Sequence, residues 1–175
     1  IDYANAGEFN LKNYKGVIAN CEKMLRIAPR DSAVAVTAWS MMGDVYHLMN
    51  DTPKAYKAYD NVLKIAPGYA PVLNNYAYYL SEEGKKLKKA YAMSKKTVEA
   101  EPDNATYLDT FGWILYLQGK ALEAKPFFKH AMLYGGKDSA TILNHYAAVL
   151  EALGENDLAK VYRQQAKNKA AEGQE

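Results

Sequence analysis

Histidine and cysteine, which often carry catalysis or bind metals, are few in this sequence, and their spacing matches no known catalytic or metal-binding motif. His47, His130 and His145 show no paired spacing such as H-E-x-x-H, and Cys21 is the single cysteine. Metal sites need several such ligands at short, defined spacings, so we expect no metal centre and no cofactor. The sequence also contains no glycine-rich phosphate loop and no G-x-S-x-G element. Neither phosphate transfer nor serine hydrolysis is therefore indicated.

Two carboxylates, Asp44 and Asp109, could be imagined as a catalytic acid and base. They belong to repeats that are not adjacent in the architecture inferred below, so we expect them to lie too far apart to act together. Cys21 occupies a place that Tyr59 and Phe128 hold elsewhere in the chain, which favours buried packing over a reactive thiol. We do not expect an enzyme.

The composition is that of a mostly helical globular chain. Its 175 residues are 49% hydrophobic and 24% charged, and this length suits one domain. The formal net charge is only +2, unlike the strongly basic balance of nucleic-acid-binding proteins. No apolar run approaches the roughly 18 residues that a bilayer span requires. We therefore expect a single domain with no nucleic-acid partner and no direct membrane insertion.

Small residues recur at a constant spacing and reveal an internal repeat. One ladder steps by 34, 35 and 35 residues through Gly43, Ala77, Gly112 and Ala147. A second ladder steps by 38, 35, 34 and 35 residues through Val17, Ala55, Ala90, Ala124 and Ala159. Periods of this length are typical of stacked helical hairpins. Because one hairpin cannot bury both of its apolar faces, each repeat needs a neighbour.

Bulky residues accompany the ladders at helical spacing. In the clearest copy, from about Val36 to Tyr69, the signature places hold Trp39, Met42, Gly43, Tyr46, Ala55, Tyr59, Val62 and Pro67. They fit the pattern W-x2-L-G-x2-Y, A-x3-F, P of a 34-residue helix-turn-helix repeat. The chain thus resembles the tetratricopeptide-repeat family over nearly its whole length, and bacterial members in particular. The resemblance implies an all-α fold, a right-handed superhelical solenoid of antiparallel helix pairs.

We divide the single domain, residues 1–175, by the repeat pattern. It comprises a partial repeat at 1–31, an extended linker or helix at 32–35, and repeats at 36–69, 70–104, 105–138 and 140–173. Thr52 and Pro53 suit the cap and first position of a helix. Arg163 replaces a buried aromatic, so we expect the last helix to act as a cap. The partial first repeat leads us to expect further repeats before Ile1 in the parent protein.

The resemblance also implies a binding surface. In this family the second, fifth, ninth and twelfth places of each repeat face a concave groove. The partner-binding residues expected from these places are Asp44, His47, Asn74, Tyr78, Asp109, Trp113, Tyr116 and Asn144. Members that grip chaperone carboxylates use lysine and arginine at such places, whereas this chain has Asn, Thr, Ser and Asp. We therefore expect no carboxylate clamp.

The function indicated is a protein-protein interaction scaffold that binds a peptide or helix of a partner in the groove. Self-assembly within a larger bacterial protein, through the truncated N-terminal end or the convex face, is the first alternative. An RNA-binding helical repeat is a second, against which the near-neutral charge argues. Tyr78 and Trp113 could also simply pack against neighbouring helices. The compartment is either the bacterial cytoplasm or the periplasm, with or without envelope anchoring through a removed N-terminal segment. The sequence identifies neither the partner nor the pathway.

Overall fold

The computed structural model describes the backbone of residues 3–173 and the side chains of residues 11–173. Every regular element in this range is a helix, which confirms the predicted all-α class. The helices are α1 (Tyr3–Ile27), α2 (Ser32–Leu48), α3 (Thr52–Ile65), α4 (Ala70–Glu82), α5 (Leu87–Ala100), α6 (Ala105–Leu117), α7 (Ala121–Leu133), α8 (Ala140–Ala152) and α9 (Asn156–Glu172). A 3-10 turn, Gly136–Asp138, precedes α8. No helix in the described range is long and apolar enough to cross a membrane.

Polar N-caps begin several helices. At four helix starts a side chain accepts a hydrogen bond from the backbone N–H three residues on, and the caps are Asp31, Asp51, Asn104 and Ser139. The predicted cap at Thr52 is wrong by one residue, because the Asp51 carboxylate accepts from the Lys54 N–H at 3.3 Å. A carboxylate at this place also complements the positive end of the helix dipole.

Two compact units, residues 1–72 and 73–175, make up the chain, and each is described by itself. Residues 32–35 form the first turn of α2. The structure gives helix bounds rather than repeat bounds, so the repeat boundaries and the single-domain organisation stay predictions.

In the first unit α2 packs against both α1 and α3. One cluster of its core comprises Cys21, Ala38, Met42 and Ala58, with Trp39 partly buried against them. Cys21 is 1% exposed, and burial raises the pKa of its thiol. The predicted packing role of this cysteine is confirmed.

In the second unit one core runs through α6, α7, α8 and α9. Its members recur at offsets of three and four residues, as in Phe111 and Leu115 on α6 or Leu143 and Ala147 on α8. Phe128 on α7 is fully buried among them. Stacked helix pairs therefore share one continuous apolar interior, as repeat architectures require.

Glycines in two first helices lie against aromatic rings of the following helix. A Cβ added to Gly112 would meet Cε2 of Phe128 at 2.7 Å, and one added to Gly43 would overlap the Tyr59 ring. In both hairpins the space beside the glycine is filled by a ring of the second helix. The corresponding pairs in the other two hairpins are Ala77 with Ser94 and Ala147 with Arg163. Glycine is needed where the opposing place holds an aromatic ring.

We expect Gly112→Ala and Gly43→Ala to lower the free energy of unfolding by about 1 to 3 kcal/mol, because the added methyl group overpacks the contact with the ring. Gly16→Ala is the matched control, since a Cβ there meets nothing within 4 Å. That change should stabilise α1 by about 0.5 to 1 kcal/mol through higher helix propensity. Urea unfolding measures all three variants. Equal effects at Gly112 and Gly16 would contradict the close contact.

Candidate functional site

Helices α4, α6 and α8 of the second unit border a cavity of about 330 Å³. Asn74 and Tyr78 reach it from α4, Thr106 and Asp109 from α6, and Thr141 from the start of α8. Residues three or four apart lie on one helical face, so the polar residues of each helix line the same cavity. Three predicted partner-binding residues, Asn74, Tyr78 and Asp109, thus line one cavity.

Three rings, Trp113, Tyr116 and His145, form a stack on the second unit. The Trp113 and His145 ring centroids are 4.0 Å apart with planes at 16°, and those of Trp113 and Tyr116 are 4.8 Å apart at 24°. The Trp113 indole N–H donates a hydrogen bond to Glu82 Oε1 at 3.2 Å. Each ring is partly buried. The stack is therefore held in place from α4 and α8 while part of its surface faces solvent.

A largely buried hydrogen bond between His145 and Asp109 fixes the imidazole. His145 Nδ1 lies 2.7 Å from Asp109 Oδ1, and the two side chains are 12% and 9% exposed. Burial raises the pKa of the Asp109 carboxyl, while the hydrogen bond and the charge of His145 oppose that rise. A carboxylate that orients an imidazole also sets its tautomer and ring plane. The pair thereby couples the cavity to the ring stack.

Around Tyr78 the cavity is rich in hydrogen-bond acceptors. Burial raises the pKa of the Tyr78 hydroxyl, and the negative charges of Glu82 and Asp109 raise it further. Asn74 is 5% exposed, and its Oδ1 makes no hydrogen bond among the described residues. A buried amide oxygen without a partner costs free energy, which makes Asn74 unusual among buried polar groups.

Asn144, on α8, is engaged by the neighbouring helix. Arg163 Nη1 donates to the Asn144 side-chain oxygen at 3.1 Å and to its backbone oxygen at 3.2 Å. The same guanidinium binds Glu151 through Nε at 3.0 Å and Nη2 at 3.1 Å. Where the sequence predicts a partner contact at Asn144, the structure shows an internal one.

Asp44 and His47 lie on α2, in the first unit, and are half-buried. The Tyr59 hydroxyl donates a hydrogen bond to the Asp44 carboxylate. Of the predicted residues, the structure brings together Asn74, Tyr78, Asp109, Trp113 and Tyr116 around the cavity and the stack. Partner binding by all eight stays a prediction.

Sequence reasoning missed His145, Glu82 and Arg163. His145 follows Asn144 and so falls outside the groove places of the repeat. It is 36 residues from Asp109, one repeat plus one residue, which sets it opposite α6. A search for complementary side chains at that offset could have found it. Glu82 is the last residue of α4, where the repeat pattern gives no signal. The pattern marks Arg163 as an exception at an aromatic place, but it does not predict the contact with Asn144.

The chain matches the model of a known protein family over most of its length. That family is described as Tetratricopeptide repeat, and the match covers residues 10–172. No curated protein matches the chain.

Solved structures share the fold at low sequence identity. A Pseudomonas aeruginosa pilF structure aligns with a TM-score of 0.75 and 20% identity, over 95% of this chain and 73% of that one. MamA from Desulfovibrio magneticus RS-1 aligns with a TM-score of 0.73 and 14% identity, over 97% of this chain and 94% of that one. MamA AMB-1 aligns with a TM-score of 0.69 and 20% identity, over 99% of both chains. These similarities show the fold alone, and they confirm the predicted solenoid of helix pairs.

We expect His145→Phe to lower the free energy of unfolding by about 2 to 3 kcal/mol, because the Asp109 carboxylate stays buried without its partner while the ring stack keeps a ring. His130→Phe is the matched control, since His130 pairs with Asp103 at 2.7 Å but both are exposed. Its effect should stay within about 0.5 kcal/mol. Urea unfolding of both variants measures the difference. Equal losses would contradict the buried pair.

Proposed function

Since the chain belongs to the tetratricopeptide repeat family, whose fold is that of a protein-protein interaction scaffold, we propose that it binds a peptide or helix of a partner protein along α4, α6 and α8. The proposal is for a non-enzymatic scaffold. Its groove is the surface formed by the cavity and the adjoining ring stack.

The ring stack carries the proposal. Trp113 and Tyr116 pack against the edge of the shared core, whose buried members include Phe111, Leu115 and Phe128, and both rings keep part of their surface exposed. Tryptophan and tyrosine dominate interface energetics when a partner desolvates them. Their orientation is fixed before binding by Glu82 and His145, so little side-chain entropy is lost when a partner docks.

The charges at the groove support a particular kind of partner. Asp109 and Glu82 lie beside Tyr78, and no lysine or arginine lines the cavity. Such a surface disfavours an acidic segment or a free carboxylate end. It suits a neutral or basic segment that offers apolar anchors to the rings.

A displayed library of random peptides tests the proposal with tryptophan fluorescence as the readout. The chain contains two tryptophans, Trp39 and Trp113, so Trp39→Phe leaves Trp113 as the sole reporter. Selected peptides should shift the emission of this protein in a saturable way. In Trp113→Phe, where Trp39 reports from the first unit, the same peptides should leave the emission unchanged.

We expect Trp113→Ala to weaken peptide binding by at least about 2 kcal/mol, roughly thirtyfold in Kd, as for a central interface residue. Tyr134→Ala is the matched control, because Tyr134 is an exposed aromatic just after α7 that lines neither the cavity nor the stack. Its Kd should match that of the parent chain by isothermal calorimetry. Equal binding by Trp113→Ala and Tyr134→Ala would remove the groove from consideration.

A further inference from the structure

We propose that the cavity bordered by α4, α6 and α8 binds a lysine or arginine side chain of the partner segment. This inference rests on the function proposed above and names the chemistry that the groove selects. Two acceptors and two aromatic rings, all in the second unit, carry it.

The first acceptor is the Asp109 carboxylate. Among the residues that line the cavity, Asp109 alone has a formal charge. His145 engages Oδ1, and a carboxylate can accept further hydrogen bonds at its second oxygen. Because its side chain is only 9% exposed, water screens this charge weakly. A cation that enters the cavity would therefore meet a carboxylate whose second oxygen can still accept a hydrogen bond.

The second acceptor is the Asn74 amide. Its oxygen is buried and unpaired among the described residues, although the residue lines the cavity. The terminal torsion of asparagine is soft, so this oxygen can turn toward a ligand. Lysine and arginine head groups carry several N–H donors and no acceptor. Such a group satisfies both Asn74 and Asp109, whereas an apolar group would leave both unpaired.

Two tyrosine rings complete the cavity. Tyr78 and Tyr79 both line it, with ring centroids 6.0 Å apart and planes at 62°. Cations bind favourably at aromatic faces, more strongly where water is partly excluded. An anionic group gains nothing there, because Asp109 and Glu82 lie close to the Tyr78 hydroxyl. The lining thus discriminates by charge as well as by shape.

Blocked single amino acids test the cavity without a known partner. N-acetyl-arginine amide and N-acetyl-lysine amide are titrated against the isotopically labelled chain, with the norleucine and glutamate analogues as probes without the cation. At least one cationic probe should give saturable shifts at amides of cavity residues, with a Kd about tenfold below that of norleucine. Equal binding of norleucine, or no saturable shift with either cation, would overturn the proposal.

A matched pair of variants assigns the site. Asp109→Asn should weaken the cationic probe about tenfold. Asp103→Asn should leave it unchanged, since Asp103 also lies 2.7 Å from a histidine but is exposed and does not line the cavity. Equal losses in both variants, or none in Asp109→Asn, would contradict the assignment. If Asp109→Asn does not fold, the comparison of arginine with norleucine on the parent chain decides.

Peptides selected from the library separate this inference from the proposed function. Replacement of a lysine or arginine by norleucine in such a peptide should weaken binding about tenfold to the parent chain and to Asp103→Asn, but not to Asp109→Asn. If peptides shift Trp113 emission yet tolerate every such replacement, the groove function stands and the cation site falls. If no peptide binds while the cationic probes do, the groove function falls.

Discussion

The close approach of paired helices is the constraint on which the rest of this structure depends. At Gly43 and Gly112 the first helix of a hairpin has no side chain, and a ring from the second helix, Tyr59 or Phe128, fills that space. The contact is specific in both partners, because a methyl group on the glycine overlaps the ring and a small residue in place of the ring leaves a void. It sets both the spacing and the rotation of the two helices.

Once α6 is held by that contact, its other side chains have fixed directions. Leu108, Phe111 and Leu115 enter the shared core, while Asp109 and Trp113 lie on the cavity and the ring stack. One helix therefore supplies packing from one stripe and recognition chemistry from another. The groove needs no elements of its own, since its residues occupy positions that the core leaves unused.

The sequence predicts the fold well because the same small and bulky residues recur at the same places in each repeat. Gly112 and Phe128 can be recognised from Gly43 and Tyr59 without coordinates. The site is predicted less well, since the pattern specifies which places face the groove but not how their side chains pair. Contacts such as His145 with Asp109 join residues of different helices, and their distances depend on helix register and rotamers that a periodic pattern does not encode.

Nuclear Overhauser contacts at the glycine α-protons test this packing most directly. We predict strong cross-peaks between the α-protons of Gly112 and the ring protons of Phe128, and between those of Gly43 and Tyr59. The α-protons of Gly16, which has no neighbour within 4 Å of a Cβ position, should show no cross-peak to an aromatic ring. Absence of ring cross-peaks at Gly112 and Gly43 would contradict this helix pairing, which at Gly112 positions the α6 side of the groove.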